Sequence, residues 1–108
     1  MMDEARYNGL IPGVWKRILA AVDQIDPDVL DAVATGDMVT LTASSGEKVV
    51  VNTQRAARQI WVAGKSMGIH FSLADDGRWM DDKGKGIELY GWVSECVQAI
   101  TGESLRYE

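Results

Sequence analysis

The sequence predicts an α+β fold in which two helices cover one face of a single antiparallel sheet. Apolar residues recur every three to four positions near both ends of the chain, which is the period of an amphipathic helix. Between these segments the period changes to two, and short apolar runs are separated by tight turns. The order helix, antiparallel meander of five or six strands, helix gives a two-layer sandwich.

The first helix is predicted to end before Asp26-Pro27, because a residue that precedes proline avoids the helical conformation. Pro12 leaves two alternatives for its start. Either the regular helix begins near Ile11 with Pro12 in its first turn, or Pro12 kinks a longer helix. The apolar stripe of this helix consists of Tyr7, Leu10, Val14, Ile18, Val22 and Ile25.

Several short segments from Val29 onward alternate as half-buried strands do. Ser44-Ser45-Gly46 and Asp76-Gly77 predict turns, and residues 81–86 predict a loop. One parity, facing the helices, comprises Val49, Val51, Ile60, Val62, Phe71 and Leu73. The other parity, facing away from them, comprises Thr40, Thr42, Val50, Asn52, Gln54, Gln59, Trp61 and His70. This second set is largely polar, as expected for an open sheet face.

The helical period returns near the C-terminus, where Gly102 is the predicted C-cap. The stripe of this second helix contains Leu89, Trp92, Val93, Cys96 and Ile100. Cys96 is therefore expected in the core. With one histidine and one core cysteine, the chain has little that is suited to nucleophilic catalysis, and we do not expect an enzyme.

Length and charge restrict the function further. A chain of 108 residues suits a single domain, here residues 1–108, and the net charge of −5 argues against nucleic-acid binding. The N-terminus has no signal-peptide pattern, and no apolar run is long enough for a membrane span. The single cysteine excludes an intrachain disulfide. A reducing cytoplasm is the expected compartment.

The segment from Ile18 to Glu47 contains six acidic residues and no basic residue. Carboxylates are hard oxygen ligands, but no histidine accompanies them, so a rigid high-affinity centre is not expected. The segment is either a solvated negative edge or a weak cation site that also docks a basic partner. The candidate ligands are Asp23, Asp26, Asp28 and Asp31. A second group, Asp75, Asp76, Asp81 and Asp82, is interpreted mainly as solvated turn chemistry, with metal binding as the lesser alternative.

The segment VNTQRAARQIWVAGKSMGIHFSL, residues 51–73, resembles the signature of the frataxin family, whose bacterial branch is called CyaY. Asn52-x-Gln54 is followed by Gln59-Ile60-Trp61 on the next strand, and then by an aromatic strand after a glycine turn. The resemblance extends from about Tyr7 to Tyr107. It departs from the family pattern where bacterial relatives carry acids: here those positions are Leu19, Ala20 and Gln24.

The resemblance implies a role in iron–sulfur cluster assembly, without a cluster held by the protein itself. It implies weak, exchangeable iron binding along the acidic segment. It also implies docking on the cysteine desulfurase and its scaffold protein. The implied partner-binding residues are Asn52, Gln54, Gln59, Trp61 and His70.

Alternatives remain at two points. Trp61 is either a partly buried residue packed on its cross-strand neighbours or an interaction anchor. The protein is either an iron-binding assembly protein, expected to be a monomer, or a metal-independent acidic module that regulates a basic partner. Ferroxidase activity is the weakest alternative, because no preformed di-iron set of Glu and His is present.

Overall fold

The computed structural model describes residues 3–107 and confirms the two-layer α+β sandwich. The meander has six strands, the larger of the two numbers predicted. The helices are α1 (Glu4–Val22) and α2 (Leu89–Thr101). The strands are β1 (Leu30–Thr35), β2 (Met38–Ala43), β3 (Lys48–Gln54), β4 (Gln59–Gly64), β5 (Met67–Leu73) and β6 (Trp79–Asp81), with a 3-10 turn at Arg55–Ala57.

Helix α1 is the longer of the two forms that Pro12 allowed. It begins after Asp3, whose carboxylate accepts a hydrogen bond from the Arg6 N–H at 2.7 Å, and it continues through Pro12. Pro12 is exposed, so its ring points to solvent while the opposite side of the helix stays regular and buried. The buried residues of α1 are Tyr7, Ile11, Val14, Trp15, Ile18, Ala21 and Val22.

The sheet is antiparallel throughout, and its strand order follows the chain order from β1 to β6. Its two edges differ. At the β6 edge the chain folds back, so that the Asp81 N–H donates to the Ile87 carbonyl at 2.9 Å and Met80 forms a bridge with Glu88. At the β1 edge, no further strand pairs with β1 in the described part of the chain.

The core lies between the sheet and both helices. Val49, Val51, Ile60, Val62 and Phe71 are fully buried, and Leu73 is only partly buried near the end of β5. Helix α2 ends at Gly102, whose φ of 77° is the left-handed conformation expected of a glycine C-cap. The cap confirms the position predicted from the sequence.

Two contacts connect α1 to strands in the second half of the meander, β4 and β6. The Tyr7 hydroxyl donates to the Gln59 carbonyl at 2.6 Å, at the start of β4. The Tyr7 ring also packs edge-on against Trp79 in β6, with a centroid separation of 6.2 Å. Burial raises the pKa of Tyr7, so its hydroxyl stays a donor at neutral pH.

Candidate functional site

The strand register arranges the open face of the sheet in rows. One row crosses four strands and contains Met38, Asn52, Trp61 and His70 as direct cross-strand neighbours. These side chains stand on the face opposite the helices, because neighbours along their strands are buried in the core: Val39, Val51, Ile60, Val62, Ile69 and Phe71. The row therefore places three of the predicted partner-binding residues side by side.

Trp61 lies at the centre of this row and is partly buried. Its indole lies against the backbone of Gly68 on β5: a Cβ placed on Gly68 would be 2.6 Å from the indole nitrogen. The indole also approaches His70, on the same strand as Gly68, with a centroid separation of 6.4 Å. The ring is thus held in place by a glycine that leaves room for it, and one side of it remains accessible.

A shallow cleft of about 500 Å³ adjoins the Trp61 ring. Its floor is apolar and low, because Val50, Ala63 and Gly68 have small side chains or none. Lys48 and Lys65 are among the residues that border it. The cleft offers a partner an apolar surface beside an indole that can donate a hydrogen bond.

The next row contains Gln54, Gln59 and Ser72. The Gln59 amide donates to the Ser72 hydroxyl at 2.9 Å and approaches an Asp82 carboxylate oxygen at 3.4 Å. Gln59 is therefore oriented by its neighbours.

In the row of Trp61, the side-chain oxygen of Asn52 is buried without a hydrogen-bond partner among the described residues. Such an atom favours a donor supplied from outside.

All four predicted metal ligands, Asp23, Asp26, Asp28 and Asp31, are exposed. Asp23 is the C-cap of α1, and Asp26 uses one carboxylate oxygen to accept the Asp28 N–H at 2.9 Å. Asp31 stands on the open face of β1, opposite Thr42. Within residues 3–107, no three side chains of His, Cys, Asp or Glu converge as a metal site would require. The four acids thus follow one another from the end of α1 through the turn to β1, and they do not converge on one point. We call this line of acids the acidic border.

Asp37, another acid of this segment, is engaged with the 3-10 turn. The Arg55 guanidinium lies 2.6 Å from its carboxylate, and the Thr53 hydroxyl donates to the same oxygen at 3.0 Å. The hydrogen bond from Arg55 is the main reason that the pKa of Asp37 is lowered, and the bond from Thr53 adds to it. This carboxylate connects the β1–β2 turn to the end of β3.

The interpretation of Asp81 as a solvated turn residue was wrong. Asp81 is the last residue of β6 and is only 8% exposed. Its carboxylate accepts the N–H groups of Lys85 and Ile87, both at 2.9 Å, and that of Lys83 at 3.2 Å. The carboxylate therefore organises the loop between β6 and α2. The pattern Asp-x-Lys-x-Lys-x-Ile carried no recognisable signal for this arrangement.

Gly68 is the other residue that the sequence did not identify. It follows a turn, and a glycine in that position is ordinarily explained by backbone conformation. Its φ is not in the left-handed region, in contrast to Lys65 and Ser66 in the preceding turn. The requirement for glycine comes instead from the Trp61 ring, which lies on the neighbouring strand.

Arg17, which follows Lys16 in α1, has a structural contact. Its guanidinium lies over the Tyr90 ring at 4.3 Å and over the Tyr107 ring at 5.4 Å. The Tyr107 hydroxyl donates to the Tyr90 carbonyl at 3.0 Å. This cation–π cluster fixes the C-terminal segment against both helices.

Among the described residues, no helix is long and apolar enough to span a membrane.

These features define a small α+β sandwich with an ordered, partly polar sheet face and an acidic border. The sequence model of the frataxin-like domain matches residues 1–103, and the chain belongs to the frataxin-like family. The resemblance found in the sequence is thereby confirmed.

Named relatives share most of the chain. It is 35% identical over 104 residues to the iron-sulfur cluster assembly protein CyaY of Tolumonas auensis, covering 96% of this chain and 97% of that one. It is 36% identical over 88 residues to the CyaY of Vibrio cholerae, covering 82% of each chain.

Solved structures show the same fold. The frataxin of Psychromonas ingrahamii superimposes with a TM-score of 0.87 at 21% identity, with 99% of each chain covered. The trimeric frataxin of the yeast Saccharomyces cerevisiae, complexed with ferrous iron, gives a TM-score of 0.69 at 21% identity. That match covers 95% of this chain and 89% of the yeast chain.

Proposed function

We propose that this protein is an accessory protein of iron–sulfur cluster assembly. It binds iron weakly on its acidic border and docks on the complex of the cysteine desulfurase with its scaffold protein. The support is its membership of the frataxin-like family, together with the names of relatives such as the T. auensis protein. In this proposal it works as a monomer in the bacterial cytoplasm and catalyses no reaction itself.

The observation that carries the docking proposal is the row of Asn52, Trp61 and His70 on the open face. Trp61 supplies apolar surface and is held by Gly68, so little side-chain entropy is lost when a partner covers it. Gln59 is also oriented in advance, by Ser72. An aromatic anchor with polar groups beside it is typical of a binding hot spot.

Iron in this proposal is a cargo or an effector, since no cage of ligands surrounds the acids within residues 3–107. Exposed carboxylates separated along a border give few bonds to any one ion, which supports weak and exchangeable binding. Cys96 does not contribute a ligand to a cluster: it is fully buried, and burial raises the pKa of its thiol to about 11.

Anaerobic titration of the folded protein with Fe²⁺, followed by NMR, tests the iron part of this proposal. Shifts or broadening are expected at Asp23, Asp26, Asp28 and Asp31. Changes only at Asp75–Asp82, or none, would show that this border does not bind iron. Zn²⁺ and Mg²⁺ titrations serve as controls for non-specific attraction of cations.

A metal-independent acidic module that regulates a basic partner is the second candidate. It is favoured by one observation, that no group of converging metal ligands is present in residues 3–107. Binding to the desulfurase complex, measured with and without Fe²⁺, separates the two candidates. Equal affinity in the presence of a chelator supports the second.

A further inference from the structure

The β1 edge of the sheet has unused hydrogen-bonding groups. The Ser44 N–H donates to the Val29 carbonyl at 3.1 Å, so odd-numbered residues of the first strand direct their backbone groups toward β2. Ala32 and Ala34 therefore direct their N–H and C=O groups outward. In the described part of the chain no strand pairs with them there, and Ala34 is exposed.

Apart from the charge of Asp31, the β1 edge has few of the features that usually prevent pairing with another chain. Natural edge strands are interrupted by lysine, proline or a bulge, or are covered by a loop. The segment Leu30–Thr35 contains neither lysine nor proline, and its pairing with β2 runs without a bulge from end to end. The opposite edge, β6, is three residues long and is covered by the segment that includes Ile87 and Glu88.

Side chains on β1 indicate which kind of strand fits the edge. Val33, on the open face, is 57% exposed and offers an apolar contact to a residue placed opposite it. Asp31 stands two positions away on the same face, and Asp26 and Asp28 precede it in the adjoining turn. No basic residue occurs between Ile18 and Glu47. A complementary strand therefore carries an apolar residue flanked by lysine or arginine.

We propose that the β1 edge binds a basic, extended peptide segment of a partner protein as a seventh strand of the sheet. The backbone groups of Ala32 and Ala34 pair with the segment, and the acidic residues select for its charge. A second copy of this chain is a poorer occupant, because pairing two β1 edges brings two base-free acidic segments together. The inference deepens the proposed docking function and rests on it for the identity of the partner.

The test uses a nine-residue peptide, acetylated and amidated, with alternating lysine or arginine and β-branched residues. Its binding to the intact protein is followed by NMR and by amide hydrogen exchange. The amides of Ala32 and Ala34 are expected to exchange fast in the free protein and to become protected with the peptide. Two control peptides are used: one N-methylated on the pairing side, and one with glutamate in place of the basic residues.

The N-methylated peptide is expected to bind at least about tenfold more weakly, because it cannot donate the pairing hydrogen bonds. Equal binding of that peptide would show attraction by charge alone and would overturn the proposal. Shifts centred on Trp61 and Asn52 would do the same, because they place the peptide on the open face. A third outcome would also overturn it: the amides of Ala32 and Ala34 become protected without peptide as the protein concentration rises. That result would identify a second copy of the chain as the occupant.

Ala34→Pro removes one outward N–H and leaves the bonds between β1 and β2 intact. This variant is expected to lose peptide binding, whereas the matched control Ala34→Val keeps it. If Ala34→Pro does not fold, the N-methylated peptide still decides. Binding to the desulfurase complex is measured in parallel. A protein that binds the peptide but not the complex contradicts the proposed function alone, and the reverse contradicts this inference alone.

Discussion

The indole of Trp61 occupies the space that a side chain at position 68 would need. Three ring atoms lie within 2.8 Å of the point where a Cβ of residue 68 would stand. Contacts this short do not occur between real atoms, so Gly68 is required by a ring on the neighbouring strand. The open face thus has an anchor whose orientation is set by the absence of a side chain beside it.

Gly68→Ala is expected to displace the Trp61 ring and weaken docking on the assembly complex while leaving the fold intact. The reason is that Gly68 is exposed and lies outside the core. Acrylamide quenching of tryptophan fluorescence reports the displacement, because Trp15, Trp79 and Trp92 are buried. Gly36→Ala is the control, since nothing lies within 4 Å of a Cβ there. Unchanged quenching and docking would show that the ring position does not matter.

Trp61→Ala is expected to reduce affinity for the complex by about 2 kcal/mol or more, as truncations at binding hot spots do. Its cost in unfolding free energy is expected to stay below the roughly 3–5 kcal/mol of a core aromatic residue, because Trp61 contacts only the outer side of the sheet. Urea unfolding and binding are measured on the same preparation. Outright unfolding, or normal binding by a stable variant, contradicts the assignment.

Replacing Asp26, Asp28 and Asp31 by Asn is expected to slow association with the desulfurase and to flatten its dependence on ionic strength. These carboxylates are exposed, so they act mainly by steering the encounter, and salt screens that effect. Association rates at several salt concentrations provide the measurement. Asp75→Asn, in an exposed turn elsewhere, is the control. A salt dependence equal to that of the unmodified protein rules out electrostatic steering by this border.

Asp81→Asn is expected to destabilise the protein at neutral pH and to matter less in acid. The Lys85 N–H, followed by those of Ile87 and Lys83, lowers the pKa of Asp81 below its usual value of 3.8, against the effect of burial. A carboxylate with a lowered folded-state pKa stabilises the fold above its unfolded pKa, and this contribution is lost as pH falls through the folded pKa.

Urea midpoints of the two proteins between about pH 7 and pH 2 test this expectation. The difference between them is expected to narrow as Asp81 becomes protonated in the unmodified protein. A difference that stays constant over the whole range would assign the loss to packing instead of charge.

Cys96 is expected to resist thiol reagents in the folded protein. Its side chain is fully buried, and a Cβ on Gly64 would lie 2.6 Å from its sulfur, so the thiol packs against backbone. Burial also raises its pKa to about 11, which leaves little thiolate at neutral pH. The rate of reaction with a disulfide reagent is measured with and without urea. Rapid reaction of the folded protein would mean that α2 opens locally.

The parts of the structure that follow a local period were predictable from the sequence. Alternation along β4 placed Ile60 and Val62 inside, and Trp61 consequently outside, without knowledge of any partner strand. The glycine cap of α2 is equally local, because only the conformation of Gly102 is involved. Elements of this kind depend on residues that are close in sequence.

What the sequence did not reveal depends on residues brought together by the register of the sheet. The contact of Trp61 with Gly68 exists only because β4 and β5 pair in one particular alignment. The glycines around Lys65-Ser66 predicted a turn, but they did not show that the positive φ would fall on the lysine and the serine themselves. Pro12 was compatible with two starting points for α1, and the residues buried on the opposite side of the helix before Pro12 decided for the earlier start.

The contacts of Tyr7 have a consequence for biosynthesis. Tyr7 is synthesised well before the Gln59 carbonyl and the Trp79 ring that complete its surroundings. Each strand pairs with the one made just before it, so the sheet can grow as translation proceeds. The apolar side of α1 can be buried fully only after most of the chain has emerged. Until then the nascent chain exposes an apolar helix surface, and exposed surface of this kind makes incompletely folded chains prone to aggregation.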